Sequence, residues 1–172
     1  LWLMCLFSFF MPDIVSAQVF VHPGGLHTKA DLDRMKQMVA ERKHPWIDGW
    51  EELQKDPWAK SDFKAHAMSN MGKSRQIASV DAHAVYLNAV RCDESYARCA
   101  IDICNAWSDS IDQIPVSKQD QGLLGIPIGE FAMAAEVLRV CPLWEKKDFE
   151  RFKKMMIDYL YPVSRDFLRT HG

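Results

Sequence analysis

The sequence predicts an all-α chain assembled from antiparallel helical hairpins. Apolar residues recur at three- and four-residue spacing through most of it. No alternating run marks a strand beyond a short extended piece near Phe20. An acidic turn joins two long periodic stretches between 79 and 111, SVDAHAVYLNAVRCDESYARCAIDICNAW followed by SDSI. Successive helices with short connections pack as neighbours, which makes the hairpin the natural unit. In the first stretch Val80, Ala84, Leu87 and Val90 define a stripe, and in the second Tyr96, Ala100, Ile103, Trp107 and Ile111 do so. Asp93, Glu94 and Ser95 suit a helix start, because acidic side chains complement the positive end of the helix dipole. The expected arrangement sets 80–90 antiparallel to 96–111, with Leu87, Ile103 and Trp107 buried.

The elements follow in order. The chain opens on an apolar run, LWLMCLFSFFM, then Pro12 and a small-x-small site at Val15-Ser16-Ala17. That pattern predicts residues 1–17 as a secretory signal peptide lacking its basic start, removed so that the mature chain begins at or near Gln18. The run is shorter than the about 20 residues of a membrane-spanning helix. Phe20 to Gly25 reads as an extended piece ending in a Pro/Gly turn. Thr28 with Asp31 caps a helix carrying Leu32, Met35, Met38 and Val39 on one face, and Pro45 follows its end. A second short helix places Trp46, Trp50 and Leu53 together. The stretch 56–76 loses periodicity and reads as a long loop, often a functional feature in a compact domain. After the 79–111 hairpin and a polar loop, GLLGIPIGEFAMAAEVLRVC is apolar nearly all round and reads as buried, with Pro127 in its first turn. The last stretch is amphipathic through Phe149, Phe152, Met156 and Tyr159 or Leu160, and Pro162 breaks or kinks it.

Charge and cysteines narrow the function. With 21 basic and 23 acidic residues, the net charge of −2 excludes a general nucleic-acid binder or membrane-surface protein. Cys92, Cys99, Cys104 and Cys141 match no zinc spacing and read as buried free thiols, with a structural disulfide as the competing reading in an exported chain. No Gly-rich phosphate loop, Gly-x-Ser-x-Gly elbow or cysteine pair appears, so neither cofactor nor metal is called for. His22 and His27 flank the Pro/Gly turn without a third ligand at helical spacing. Glu130 and Glu136 interrupt the most apolar helix, and Arg139 stands three residues from Glu136 to pair with it.

Several stretches, in order, resemble the bacterial alginate-lyase-domain family. They are FVHPGGLHT with DLDRMKQMV, HPW and Trp50, the Ala/Leu-rich helix with Asp81 and Tyr86, YARCAIDICNAW, FAMAAEVLR, and FERFKKMMIDYLYPVSRDFL. The match runs from about Phe20 to the end. It departs at Arg91-Cys92-Asp93, where relatives tend to have Thr-Gly-Asp. The resemblance implies an α/α toroid of helical hairpins, of which residues 18–172 would be an N-terminal, incomplete part. It also implies a periplasmic or secreted enzyme whose partner is an anionic uronate polymer, with no nucleic acid and no membrane after leader removal. The implied reaction is β-elimination at a 1,4-linked uronate. The C6 carboxylate is neutralised, a His or Tyr removes the C5 proton, and a Tyr returns one to O4. Most family catalytic positions would lie beyond Gly172, so no catalytic residue is assigned. Alternatives are a heparinase- or chondroitinase-type lyase or glycoside hydrolase on the same fold, and a non-catalytic helical carbohydrate-binding or scaffold protein.

The residues of this chain suited to substrate contact are His66, Asn70, Lys73, Arg75 and Gln76 in the 56–76 loop, where Lys and Arg match uronate carboxylates. His83 and Tyr86 share a helix face three residues apart. Each also has a plainer role, as a solvated loop residue or a hydrogen-bonded core His beside a Tyr. Trp58 and Phe63 suit stacking on sugar faces or anchoring of the loop.

Overall fold

The computed structural model describes residues 20–91, 93–113 and 118–171, with backbone alone at 73–75, 118–120 and 171. The predicted leader 1–17 and Cys92 lie outside the described residues. Among the described residues regular structure is helical throughout: α1 (Lys29–Ala40), α2 (Trp46–Lys55), α3 (Arg75–Arg91), α4 (Glu94–Ser110), α5 (Lys118–Leu123), α6 (Gly125–Leu138), α7 (Lys146–Met155) and α8 (Tyr161–His171). One isolated bridge, Asn70 to Gln113, is the sole β-type pairing among the described residues. The chain is therefore all-α. None of the described helices is long and apolar enough to cross a membrane.

Local chemistry sets the ends of α1. The Thr28 hydroxyl accepts from the Asp31 N–H while the Asp31 carboxylate accepts from the Thr28 N–H, a capping box that fills two orphan donors. At the other end the Arg42 N–H reaches Val39 O and the Lys43 N–H reaches Met38 O. That bond pair is a Schellman turn, and it needs a left-handed residue at Arg42, where φ is 53°. The turn sends the chain into α2, whose Ile47 is buried while Trp46 is 36% exposed.

The hairpin forms as expected, and its turn is tight, since α3 ends at Arg91 and α4 begins at Glu94. Ile103 and Trp107 are fully buried. Leu87 is not: it is half-buried, as are Val80 and Val90. Of the expected stripe only Ala84 is buried, and the rest of the buried side is Ala78, Ala82, Val85 and Ala89 together with Asp81, Asn88 and Arg91. Small side chains let helices approach closely, and α3 packs most extensively on α6 and then on α4. The larger aliphatic residues fall on its less covered side.

The irregular stretch is also shorter than expected. A 3₁₀ turn spans Met71–Ser74, α3 starts at Arg75, and Met71 is fully buried as an anchor, so Arg75 and Gln76 belong to a helix. α6 buries Pro127, Ile128, Phe131, Ala134, Val137 and Leu138, with Pro127 in the first turn. It is not buried all round, for Ile126 stays 67% exposed. Phe131 joins Trp107 edge-on at 5.9 Å to Phe152 at 6.2 Å, which meets Trp144 at 5.5 Å. Centroid separations in this range are favourable for aromatic pairs, and the chain of rings ties α4, α6 and α7 into one core. Beyond α7 a π turn covers Met156–Leu160, and the Tyr161 N–H bonds back to Met156 O. The widened turn brings the chain to Pro162, which has no N–H to give. Cys99, Cys104 and Cys141 are free thiols. Burial pushes the Cys99 thiol up to about 11 and raises Cys104 further, so both are inert at neutral pH.

The strained Arg42 supplies a test. Arg42→Gly relieves a left-handed penalty of about 1 kcal/mol and gives up only the exposed pair with Glu51. Urea unfolding should show a small gain in stability, whereas Arg42→Val should show a loss.

Candidate functional site

The site grows from α3, whose two long sides hold different chemistry. On the covered side the Asp81 carboxylate is fully buried. One oxygen accepts from the His66 backbone N–H at 2.7 Å and from the Trp107 indole N–H at 2.9 Å. The other accepts from His66 Nδ1 at 2.9 Å. A carboxylate only accepts, so the His66 proton sits on Nδ1 and Nε2 is left toward solvent, the side chain being 56% exposed. Two turns on, Asn88 donates to Ala84 O at 2.8 Å and Trp58 O at 3.2 Å. The Cys99 thiol of α4 lies 3.4 Å from Phe63 O. These contacts lash 58–66 along the α3–α4 hairpin.

The less covered side carries His83 and Tyr86. His83 Nδ1 meets Glu130 of α6 at 2.9 Å, and its ring sits edge-on to Trp58 at 5.6 Å. The Tyr86 hydroxyl meets His27 Nε2 at 2.8 Å, with the two rings stacked at 6.1 Å. Burial, aided by the negative charge of Glu130, holds the Tyr86 phenol above its ordinary value, so it is fully protonated at neutral pH.

His27 arrives on a strap, 22–28, laid over α6. His22 Nδ1 contacts Glu136 at 2.5 Å and the Gly24 N–H donates to the same carboxylate at 3.0 Å. The strap passes so close that a Cβ on Gly25 would lie 2.9 Å from Met133 Sδ. Arg139 reaches Glu136 at 3.3 Å, the pair expected from their spacing.

The structure thus brings His83 and Tyr86 to one half-covered face and adds His27, Glu130 and Trp58. His66 is held apart on the Asp81 side. Asn70 uses its amide within the turn, donating to Gln113 at 3.3 Å and accepting from the Gly72 N–H at 2.9 Å. Gln76 is exposed in the first turn of α3. The side chains of Lys73 and Arg75 lie outside the described residues. His22 and His27 do not form a pair, since each faces a different partner. No group of three or more His, Cys, Asp or Glu among the described residues stands close enough to hold a metal ion.

Sequence reasoning missed the roles of His27 and Glu130. A Glu inside an apolar helix was the visible sign of one. The other has no local signature, because 59 residues separate His27 from Tyr86. Chemically the cluster offers a phenol and an imidazole able to exchange a proton, a second imidazole balanced by a carboxylate, and an aromatic wall. Comparison of the chain with protein-family models, curated proteins and solved structures gives no match.

The strap should respond to acid. Burial works to raise the Glu136 carboxyl, but hydrogen bonds from His22, Arg139 and the Gly24 N–H outweigh it and hold it below the ordinary 4.5. A depressed carboxyl stabilises the fold fully above that value and loses the contribution as pH falls through the folded one. Amide exchange should show the Gly24 protection factor constant from neutral pH to about 5 and collapsing below the folded value. Glu136→Ala should remove that protection at every pH.

Proposed function

We propose that this chain belongs to a polysaccharide lyase that cleaves a 1,4-linked uronate polymer by β-elimination. Its hairpins contribute one wall of the cleft of an α/α toroid. The observation that carries the reading is the Tyr86–His27 hydrogen bond on the half-covered face of α3. Elimination moves one proton from C5 to O4. The C5–H bond breaks, its electron pair forms the C4–C5 double bond, and the C4–O4 bond breaks with protonation of the leaving oxygen. A phenol held protonated by burial is suited to protonate O4, and a hydrogen-bonded imidazole is suited to take up the C5 proton and exchange it with the phenol. His83 stands on the same face, its Nδ1 2.9 Å from Glu130. Trp58 beside it offers a surface for a sugar ring. Lys73, in the turn before α3, and Arg75, its first residue, are cations of the right sign for a uronate. The order in which stretches of this sequence resemble the alginate-lyase-domain family supports the same reaction class.

The test is kinetic, on the full gene product with mannuronate-, guluronate- and glucuronate-containing polymers, following ultraviolet absorbance of the 4,5-unsaturated end. Tyr86→Phe should lower kcat by about 10²–10⁴-fold with little change in KM. Lys73→Ala and Arg75→Ala should raise KM more than they lower kcat. New reducing ends without absorbance would identify a hydrolase, and polymer binding without cleavage would identify a carbohydrate-binding protein. Wild-type kcat in Tyr86→Phe would remove Tyr86 from the chemistry.

A further inference from the structure

A cavity of about 560 Å³ opens between α1, α2 and the C-terminal end of α3. Its volume falls in the about 300–1,000 Å³ range of small-molecule sites. Leu32, Met35, Val39, Leu53 and Val90 give it apolar walls. Arg91 also lines it, although only 6% of that residue is exposed. The guanidinium lies 4.5 Å from the Trp50 ring centre and 3.7 Å from that of Tyr96. Its one hydrogen bond among the described residues, from Nη1 to Ala59 O, is long at 3.5 Å. Nε is buried with no acceptor, and no carboxylate among the described residues pairs with the group. Asp93 also lines the cavity without reaching it, and Lys36 lies on the same wall.

An arginine buried this far normally has an anion beside it. Aromatic faces attract the cation but accept no N–H in the guanidinium plane. An apolar cavity lined by a buried guanidinium with no carboxylate partner among the described residues fits a molecule with a hydrocarbon body and one anionic head. We propose that this cavity binds a monocarboxylate amphiphile, its carboxylate on Arg91 and its chain along the α1–α2 walls. His27 lines the cavity and also bonds Tyr86, so the two sites adjoin, but ligand binding here is read without lyase turnover and fails separately from that reading.

Decanoate and decanol are the probes, with binding to the full chain measured by calorimetry below their aggregation concentrations. Decanoate should bind about tenfold or more tightly than decanol, the difference a charge-assisted hydrogen bond supplies. Arg91→Met keeps an apolar stem between the rings and should bring the two affinities together. A second variant avoids disturbing Arg91. Gly49 of α2 lines the cavity, and a Cβ there meets nothing within 4 Å. Gly49→Leu should fold normally by circular dichroism, occupy the chamber and weaken decanoate about tenfold or more. Equal affinity of wild type for decanol and decanoate, absence of decanoate binding, or unchanged decanoate binding in Gly49→Leu would each overturn the proposal. Wild-type preference for decanoate retained in Arg91→Met would overturn the placement of its head.

Discussion

The Asp81 carboxylate is the constraint on which the rest of the arrangement depends. A carboxylate taken fully out of water is costly unless its lone pairs are filled. Three donors from two other parts of the chain fill them: the His66 backbone, the His66 ring and the Trp107 indole. One buried charge therefore fixes a loop, the middle of α3 and the end of α4 with respect to each other. Trp107 in turn opens the run of aromatic rings through Phe131 and Phe152, so the polar knot and the apolar core share a residue.

From this knot the two sides of α3 acquire separate roles. The covered side uses Asp81 and Asn88 to hold 58–66 in place, and the held loop delivers the Trp58 ring to His83. The other side is bounded by the strap, which brings His27 to Tyr86 and is itself pinned by Glu136. A helix with alanine on its packed side leaves room for both attachments, since the bulk needed to fill the core comes from α4, α6 and α7. The half-covered face between loop and strap is where titratable side chains from α3, α6 and the strap meet.

Much of the helical layout was legible in the sequence because it rests on local signals. The Thr28–Asp31 box, the Pro127 entry to α6 and the 3.6-residue stripe leading to Trp107 each act within a few residues. The orientation of α3 was not legible. Its aliphatic stripe through Val80, Leu87 and Val90 suggested one buried side, while alanines with Asp81 and Asn88 form the real one. Alanine carries little hydrophobic signal, and a polar residue looks buried only once its distant partners are known. The same reason hid the pairing of His27 with Tyr86 and of His83 with Glu130, contacts made across α3, α6 and the strap. The loop 56–76 was visible as irregular, but nothing local marked Met71 as an anchor that ends it early.

The central claim is that Asp81 holds the site-bearing loop on the α3–α4 hairpin. Asp81→Asn tests it with minimal change of shape, because the amide turns one acceptor into a donor facing a donor. Urea unfolding combined with amide exchange should show a loss of about 1–3 kcal/mol, the cost of leaving buried donors without their acceptor. It should also show collapse of protection at the His66 amide while α6 and α7 amides keep theirs relative to the new global stability. Wild-type stability with an undiminished His66 protection factor would contradict the account.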